Sequence, residues 1–438
     1  MQSTHTITFL PASILCERLR RRELSAVEVV EAHLARIAAV NPALNAVVQL
    51  TADAALADAR RADAAAARGE WLGPLHGLPF TVKDWIETAG VVCAAGYEAR
   101  RNYVPAEDAT VVARMRAAGA ILLGKTNVVV ENPVYGRTNN PYNLGYSPAG
   151  SSSGEAAIIA AGGSPLGLGS DSGGSIREPA AKCGIAGLKP TVGRVPLTGH
   201  FPRINAINDP RTVIGPMARF VEDLALVLPV LQGVDWRDAS VVPMPLPDWR
   251  TVDLRGLRAV FYTHHQDADP PAEVVRATHA AAHALADAGV QVEERLPPMV
   301  DLSYKITRDY WNRPEPESWD EWNAGEETVL SSLEVEQHLF LWERFRRAMI
   351  AFMESVDVIV TPAAELPARP HDAGGGGIAY TLTYSLTGYP AVVVRAGTSE
   401  DGMPIGVQVV ARPWRDDVAI AAAYQIQTTL GGWQRPPL

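Results

Sequence analysis

Residues 147–191, SPAGSSSGEAAIIAAGGSPLGLGSDSGGSIREPAAKCGIAGLKPT, are the most informative part of this chain for its fold. Glycine and serine concentrate around it in residues 136–154 and 170–175, which have the composition of loops. The apolar run 156–161 lies between them and predicts a short buried helix. Loops of this composition that lie so close to buried elements are more often functional sites than linkers.

Helices alternate with hydrophobic strands along the rest of the chain. Ser25 and Glu28 form a capping box that begins a helix, and this helix is expected to stop before Asn41-Pro42. No internal repeat is visible, and the alternation predicts α/β layering around a largely buried sheet. Further helices are predicted at residues 52–68, 109–118, 272–288 and 416–430, and strands at 80–82, 120–123, 257–265, 290–297, 356–362, 389–397 and 405–411.

Composition limits the classes of function. The chain has 438 residues, enough for one large domain or for two or three average ones, and its net charge of −10 offers no basic field for nucleic acid. Its three cysteines are far apart and show neither metal-ligand spacing nor a disulfide framework, which favours a reducing cytoplasm. The longest nearly apolar run, residues 156–169, is too short to span a membrane. We therefore expect a cytoplasmic protein with no membrane span and no nucleic-acid partner.

Two short motifs point to other chemistries but lack the required context. Residues 119–126, GAILLGKT, match the P-loop pattern, yet AILL is typical of a buried strand rather than of a phosphate-binding loop. Residues 150–154 contain Gly-x-Ser-x-Gly, but a loop precedes them where a nucleophile elbow needs a strand. Nucleotide binding and an α/β-hydrolase are therefore disfavoured.

The long stretch resembles the signature block of the amidase signature family, in which two Gly/Ser loops flank an apolar helix. Other pieces match in the same order: GLPFTVKD (77–84), GPMARFVEDLA (215–225), LTGYPAVVV (386–394) and GMPIGVQVV (402–410). The resemblance implies one α/β/α domain over residues 1–438 around a large twisted mixed sheet, with no cofactor and no metal. Ala149, Ser153 and Arg395 depart from the usual residues of the family.

The resemblance also assigns catalytic roles. It implies that Ser175 is the nucleophile, that Ser151, reached through a cis peptide, is the relay, and that Lys83 is the base. Backbone N–H groups from Ser172 through Gly173 and Gly174 to Ser175 would form the oxyanion hole.

Simple chemistry supports these roles. A serine hydroxyl needs a base, and a lysine can serve only when it is neutral, which burial beside Phe80, Val82 and Trp85 would favour. A carboxylate of Asp84 close to Lys83 would oppose this. A purely structural alternative is a cluster of Gly/Ser turns beside a core lysine. It is disfavoured because the lysine and both loops occur together in the order of the family.

Two charged residues and one cysteine in the stretch are expected to be structural. Asp171 and Arg177 flank the proposed nucleophile, and we expect them to form a loop brace rather than to take part in the chemistry. Cys183 is expected to be a small buried packing residue.

The predicted reaction is acylation of Ser175 by a small amide-type molecule, followed by attack of water on the acyl-enzyme. We expect a free-standing hydrolase of aryl or alkyl amides, with carbamates (urethanes) and esters as further candidate substrates. The alternative is the glutamine-hydrolysing A subunit of a tRNA-modifying amidotransferase. The segment VVVENPVYG (128–136) lacks the Phe-Ala-Met-Gly run typical of that branch. A catalytically inactive binding protein is disfavoured because all three catalytic positions are intact, and a homodimer is left open.

A substrate-covering segment is predicted at about 302–345, where the resemblance is poorest. Its aromatic side chains either anchor the segment to the core or cover an apolar pocket over Ser175. Candidate pocket residues are Tyr135, Phe201, Trp311 and Trp319.

Overall fold

An eleven-stranded mixed sheet forms the centre of the computed structural model, which describes residues 7–203, 209–311, 331–374 and 376–438. The strands are β1 Val47–Leu50, β2 Pro79–Lys83, β3 Ile121–Thr126, β6 Leu166–Asp171, β7 Ala186–Lys189, β8 Val213–Ala218, β9 Arg258–Phe261, β10 Gln291–Glu294, β11 Val358–Pro362, β12 Ala391–Thr398 and β13 Pro404–Ala411. Their order across the sheet is β1-β3-β2-β6-β8-β7-β12-β13-β11-β9-β10. A separate two-stranded ribbon pairs β4 Glu131–Asn132 with β5 Gly136–Arg137.

The helices of the described residues surround this sheet. They are α1 Ala12–Arg20, α2 Ala26–Leu44, α3 Ala52–Ala67, α4 Thr110–Ala117, α5 Ser153–Ala160, α6 Arg177–Lys182, α7 Val221–Leu231, α8 Ala272–Asp287, α9 Ser303–Trp311, α10 Ser332–Phe352, α11 Ala379–Thr387 and α12 Asp416–Leu430. Within the described ranges, no helix is long and apolar enough to cross a membrane.

Strand β13 shows how the sheet is covered on both faces. The side chain of Gln408 contacts Arg177 of α6 and the carbonyl of Tyr380 in α11. Val407 and Val409 alternate with Gln408 and belong to the same apolar cluster as Val418 of α12. The chain therefore has the predicted α/β fold, with helices packed on both sides of a mixed sheet.

Strand β2 carries the first residue of the proposed site. It pairs in parallel with β3 on one side and with β6 on the other, and all five of its residues are buried. Because neighbouring side chains of a strand point to opposite faces, Lys83 and its successor Asp84 are expected to project to opposite sides of the sheet.

Most predicted elements are confirmed, but the predicted end of α2 was wrong, and the strands predicted at 257–265 and 290–297 are shorter, spanning Arg258–Phe261 and Gln291–Glu294. The capping box at Ser25 and Glu28 is present, and α12 spans the predicted residues 416–430. Helix α2 does not stop before Asn41 but continues to Leu44 with Pro42 inside it. Pro42 has no N–H to donate to the carbonyl of Ala38, so the helix continues past Pro42 with one backbone hydrogen bond missing. The helix ends where Asn45 adopts a left-handed conformation with φ of 49°.

Candidate active site

Lys83 lies at the carboxyl end of β2, wholly buried, with its amine nitrogen among oxygen atoms. Lys83 Nζ lies 2.6 Å from Ser151 Oγ, 3.0 Å from Ser170 Oγ and 3.3 Å from the Ser170 carbonyl oxygen, all within hydrogen-bond distance. No carboxylate of the described residues forms an ion pair with Lys83. None of these three hydrogen-bonding oxygen atoms carries a negative charge.

Burial lowers the pKa of Lys83 well below its ordinary value, while the more distant Asp171 and Glu155 act in the opposite direction. Burial also raises the pKa of Glu155 to about 8, although the hydroxyls of Thr81 and Thr126 donate to its carboxylate. Glu155 is therefore mostly protonated at neutral pH and supplies little charge to hold a proton on Lys83.

Asp84 does not act as the counter-ion of Lys83. Its Oδ1 lies 3.8 Å from Nζ of Lys125, and its Oδ2 accepts from Ala95 N at 2.7 Å and from the Tyr135 hydroxyl at 3.0 Å. The sequence-based concern that Asp84 would favour the charged form of Lys83 is thus removed by the alternation of side chains along β2.

Ser151 comes from the first Gly/Ser loop, and the peptide bond between Gly150 and Ser151 is cis. The Ser151 carbonyl accepts from Val129 N at 2.9 Å, and Ser152 N donates to the Ser175 carbonyl at 3.2 Å. The structure therefore brings together the three residues assigned to catalysis, although their roles remain predictions.

The second Gly/Ser loop is held by the brace expected from the sequence. Asp171 and Arg177 are both buried, and Arg177 donates to Asp171 through Nη2 and Nε, each at 2.9 Å. Burial works against a charged Asp171, but the Arg177 guanidinium holds the pKa of Asp171 below its ordinary value. Asp171 also accepts from the backbone N–H groups of Gly174 at 2.8 Å and Ile176 at 3.1 Å.

The hydrogen bonds of Asp171 limit which backbone N–H groups of this loop can donate to an oxyanion. The N–H of Gly174 is engaged by Asp171, so the donors left in the loop are those of Ser172, Gly173 and Ser175. Gly174 has φ of 139°, and a Cβ atom there would lie 2.5 Å from Thr381 Oγ1. Only glycine fits this position, which explains its presence better than a donor role does.

Two of the four candidate pocket residues contact the two residues that follow Lys83 in the chain. Tyr135 reaches Asp84 through its hydroxyl, and Phe201 N donates to the Trp85 carbonyl at 2.7 Å. Trp319 and the side chain of Trp311 lie outside the described residues. In the predicted covering segment, Trp342 is buried and donates to the Leu386 carbonyl at 2.9 Å, as expected for an anchor.

Two residues in contact with the site were not singled out from the sequence. Ser170 directly precedes Asp171 in the long stretch and contacts Lys83, so its place in the loop was the available signal. Thr381 donates to the Gly173 carbonyl at 2.6 Å from α11, 208 residues away along the chain. No local pattern could indicate this contact.

The two rejected motifs are explained by their surroundings. Gly124 and Lys125 lie within β3, where Lys125 is buried and donates to the Ile86 carbonyl and to Thr88 Oγ1 at 3.2 Å. Residues 150–154 lead from a loop into α5 rather than from a strand. Cys183 is buried, as predicted for a packing residue.

Comparison with known proteins places the chain in a family. The family model described as Amidase matches residues 28–312 and 317–419, so the chain belongs to this family, the amidase signature family. Fatty acid amide hydrolase has a similar structure, with a TM-score of 0.87 at 25% identity, covering 98% of this chain and 87% of that one. The chain is accordingly an enzyme that hydrolyses amide C–N bonds.

Sequence relatives correct the predicted function. The chain is 36% identical to a protein of Roseiflexus sp. (strain RS-1) named as the A subunit of glutamyl-tRNA(Gln) amidotransferase, over 97% of both chains. A protein of Chloroflexus aggregans with the same name is 36% identical over 95% of this chain and 96% of its own. The expectation of a free-standing hydrolase of small amides, carbamates or esters was therefore wrong. That expectation relied on the absence of a Phe-Ala-Met-Gly run near Tyr135. Similarity along nearly the whole chain outweighs this local difference.

Proposed function

We propose that the chain hydrolyses the side-chain amide of glutamine and releases ammonia as the A subunit of a glutamyl-tRNA(Gln) amidotransferase. In this proposal Ser175 is the nucleophile, Ser151 the relay and Lys83 the base. The observation that carries the reaction is the 2.6 Å contact between Lys83 Nζ and Ser151 Oγ in a buried site where no described carboxylate pairs with Lys83. The relatives from Roseiflexus and Chloroflexus support the choice of substrate and partner.

The hydrogen bonds of Lys83 fit a neutral amine. A neutral amine has two N–H bonds and one lone pair, and Ser170 offers two acceptors at 3.0 and 3.3 Å. The lone pair is then left for the hydroxyl hydrogen of Ser151, so the 2.6 Å contact runs from Ser151 to Lys83 in the resting enzyme. A neutral lysine whose lone pair points at the Ser151 hydroxyl can take up a proton without first losing one.

Attack then proceeds by two linked proton transfers. Ser175 Oγ bonds to the amide carbon as its proton moves to Ser151 and the Ser151 proton moves to Lys83. The carbonyl oxygen becomes an oxyanion that accepts from the loop N–H groups, each donor contributing about 3 kcal/mol. The proton returns to the departing nitrogen, ammonia leaves, and water attacks the glutamyl ester on Ser175 to give glutamate.

Ammonia release from glutamine tests the proposal directly. Lys83→Met should lower kcat/KM for glutamine by roughly 10²- to 10⁴-fold, the scale of a lost general base. Ser175→Ala should abolish the acyl-enzyme detected by mass spectrometry. Ser164→Ala is the matched control, because Ser164 is a buried serine that donates to the Leu166 carbonyl instead of to the site.

The role within a larger complex needs its own measurement. The chain should be assayed alone and after co-expression with B and C subunits of a related amidotransferase, for ammonia release and for amidation of glutamyl-tRNA(Gln). Stimulation by the partners together with amidation of the tRNA supports the proposal. Absence of glutaminase activity in both preparations, with turnover of other primary amides, would refute the choice of substrate.

A further inference from the structure

The indole of Trp85 lies against the amine of Lys83. Lys83 Nζ is 4.1 Å from the centroid of the Trp85 ring, while its hydrogen-bond partners are on Ser151 and Ser170. Trp85 is half-buried whereas Lys83 is wholly buried, so the ring separates the amine from solvent on this side. The ring face thus gives this nitrogen an apolar neighbour beside its serine partners.

The ring is held in place from several directions. Trp85 Nε1 donates to the Ala95 carbonyl at 3.0 Å, and Ala95 N donates to Asp84 Oδ2 at 2.7 Å. Ala95 adopts a left-handed conformation with φ of 56°, which turns its carbonyl toward the indole. On the backbone side, Phe201 N donates to the Trp85 carbonyl. A ring fixed in this way presents its face to Lys83 without needing to reorganise.

Few charges compete with the ring for control of the amine. The titratable groups that face Lys83 are Asp171 from β6, Glu155 from α5 and His200 from the loop after β7. Asp171 is committed to Arg177, and burial lowers the pKa of His200 to about 4, so that His200 is neutral. Asp84 pairs instead with Lys125 on the opposite face of the sheet.

We propose that Trp85 is a positioning residue that sets the proton affinity of Lys83 in two opposing ways. Its bulk keeps water from the amine and so favours the neutral base. Its π face attracts the ammonium that forms when the proton of Ser151 arrives, and so stabilises the product of that transfer. The inference rests on the role of Lys83 as base in the proposed function.

The two effects can be separated by pH profiles of kcat/KM on one primary amide, glutamine. Trp85→Phe keeps an aromatic face and should leave the acid limb near its wild-type position. Trp85→Leu keeps an apolar cover but removes the π face, and should move the acid limb to lower pH by about 0.5 to 1 unit. Trp85→Ala admits water and should move the limb to higher pH. Opposite shifts of the leucine and alanine variants are the result that supports the proposal.

Two further measurements keep the test decisive. Uniform replacement of tryptophan by fluorinated tryptophans weakens the π faces while preserving their shape, and should shift the limb to lower pH with each added fluorine. This arm remains informative if the alanine or leucine variant fails to fold. Lys83→Met reports on the proposed function, because an acid limb that survives in this variant shows that Lys83 is not the base. Suppose that the acid limb of the pH profile disappears in Lys83→Met. If it then stays in place in every Trp85 variant, or moves equally in the leucine and alanine variants, the proposed role of Trp85 is wrong while that of Lys83 stands.

Discussion

Lys83 and Lys125 are two wholly buried lysines on adjacent parallel strands, and their surroundings differ in one decisive respect. Lys83 contacts two serines and an indole face, and no carboxylate in the part of the chain that the structure describes pairs with it. Lys125 lies on the other face of the sheet, 3.8 Å from Asp84, and also donates to the hydroxyl of Thr88 at 3.2 Å. Residue type and burial are the same, so the carboxylate beside Lys125 is what distinguishes its surroundings from those of Lys83.

The comparison also shows how chain neighbours can mislead. Asp84 follows Lys83 in the sequence, yet its carboxylate pairs with a lysine 41 positions away from it. Burial raises the pKa of Asp84 to about 6 while Lys125 acts to lower it, so the carboxyl is mostly ionised at pH 7. A buried charge pair on one face thus leaves the other face free of carboxylates in contact with Lys83.

The largest loss of stability should come from removing one partner of the Asp84–Lys125 ion pair. Lys125→Met leaves the Asp84 carboxylate buried without its partner and should lower the free energy of unfolding by about 3–5 kcal/mol at pH 7. Lys83→Met removes a buried amine that has no ionic partner and should leave the free energy of unfolding unchanged or raise it. Urea unfolding of both variants measures the difference.

A double-mutant cycle checks that the loss belongs to the pair. Asp84→Asn combined with Lys125→Met should cost less than the sum of the single variants, by roughly 1–3 kcal/mol. Equal losses of stability for Lys83→Met and Lys125→Met would contradict the distinction between the two lysines.

The pH dependence of the free energy of unfolding also tests the difference between Lys83 and Lys125, with an effect of intermediate size. Because the pKa of Lys83 is lower in the folded chain than in the unfolded chain, its contribution to stability is present above the unfolded pKa and is lost as pH falls toward the folded one. The stability of Lys83→Met relative to wild type should therefore rise as pH is lowered from about 10, by up to ~1.4 kcal/mol per pH unit. Parallel stability curves for the two proteins between about pH 10 and about pH 8 would show that the pKa of the Lys83 amine is not depressed.

The weakest effect is expected at Tyr135, which donates to Asp84 Oδ2 at 3.0 Å. Tyr135→Phe removes one hydrogen bond to a carboxylate and should lower the free energy of unfolding by about 1–2 kcal/mol. If Tyr135 only supports Asp84, kcat/KM for glutamine should stay at its wild-type value. A changed kcat/KM with unchanged stability would instead favour the sequence-based prediction that Tyr135 lines the substrate pocket.

About half of the helices and strands of the described residues, and the location of the proposed site, could be predicted from local sequence. The capping box at Ser25 and Glu28 and the apolar periodicity of residues 416–430 act within one or two turns of chain, so a short window suffices. The same holds for the two Gly/Ser loops, because residues 150–154 and 170–175 supply their own turn chemistry. Strands β6, β7 and β8 were not predicted, since four glycines interrupt their apolar residues.

The groups that control the proposed base, in contrast, became visible only in three dimensions. Alternation along β2 sends Asp84 away from Lys83, and strand pairing then sets Lys125 beside that carboxylate. The Asp171 brace occupies the N–H of Gly174, and Thr381 reaches Gly173 from a helix near the end of the chain. These contacts join residues that are far apart in sequence, and the charge state of a buried amine depends on every group around it in space. The charge state of Lys83 therefore depends on the order of the strands and on the face of the sheet to which each side chain points, and neither can be read from local sequence.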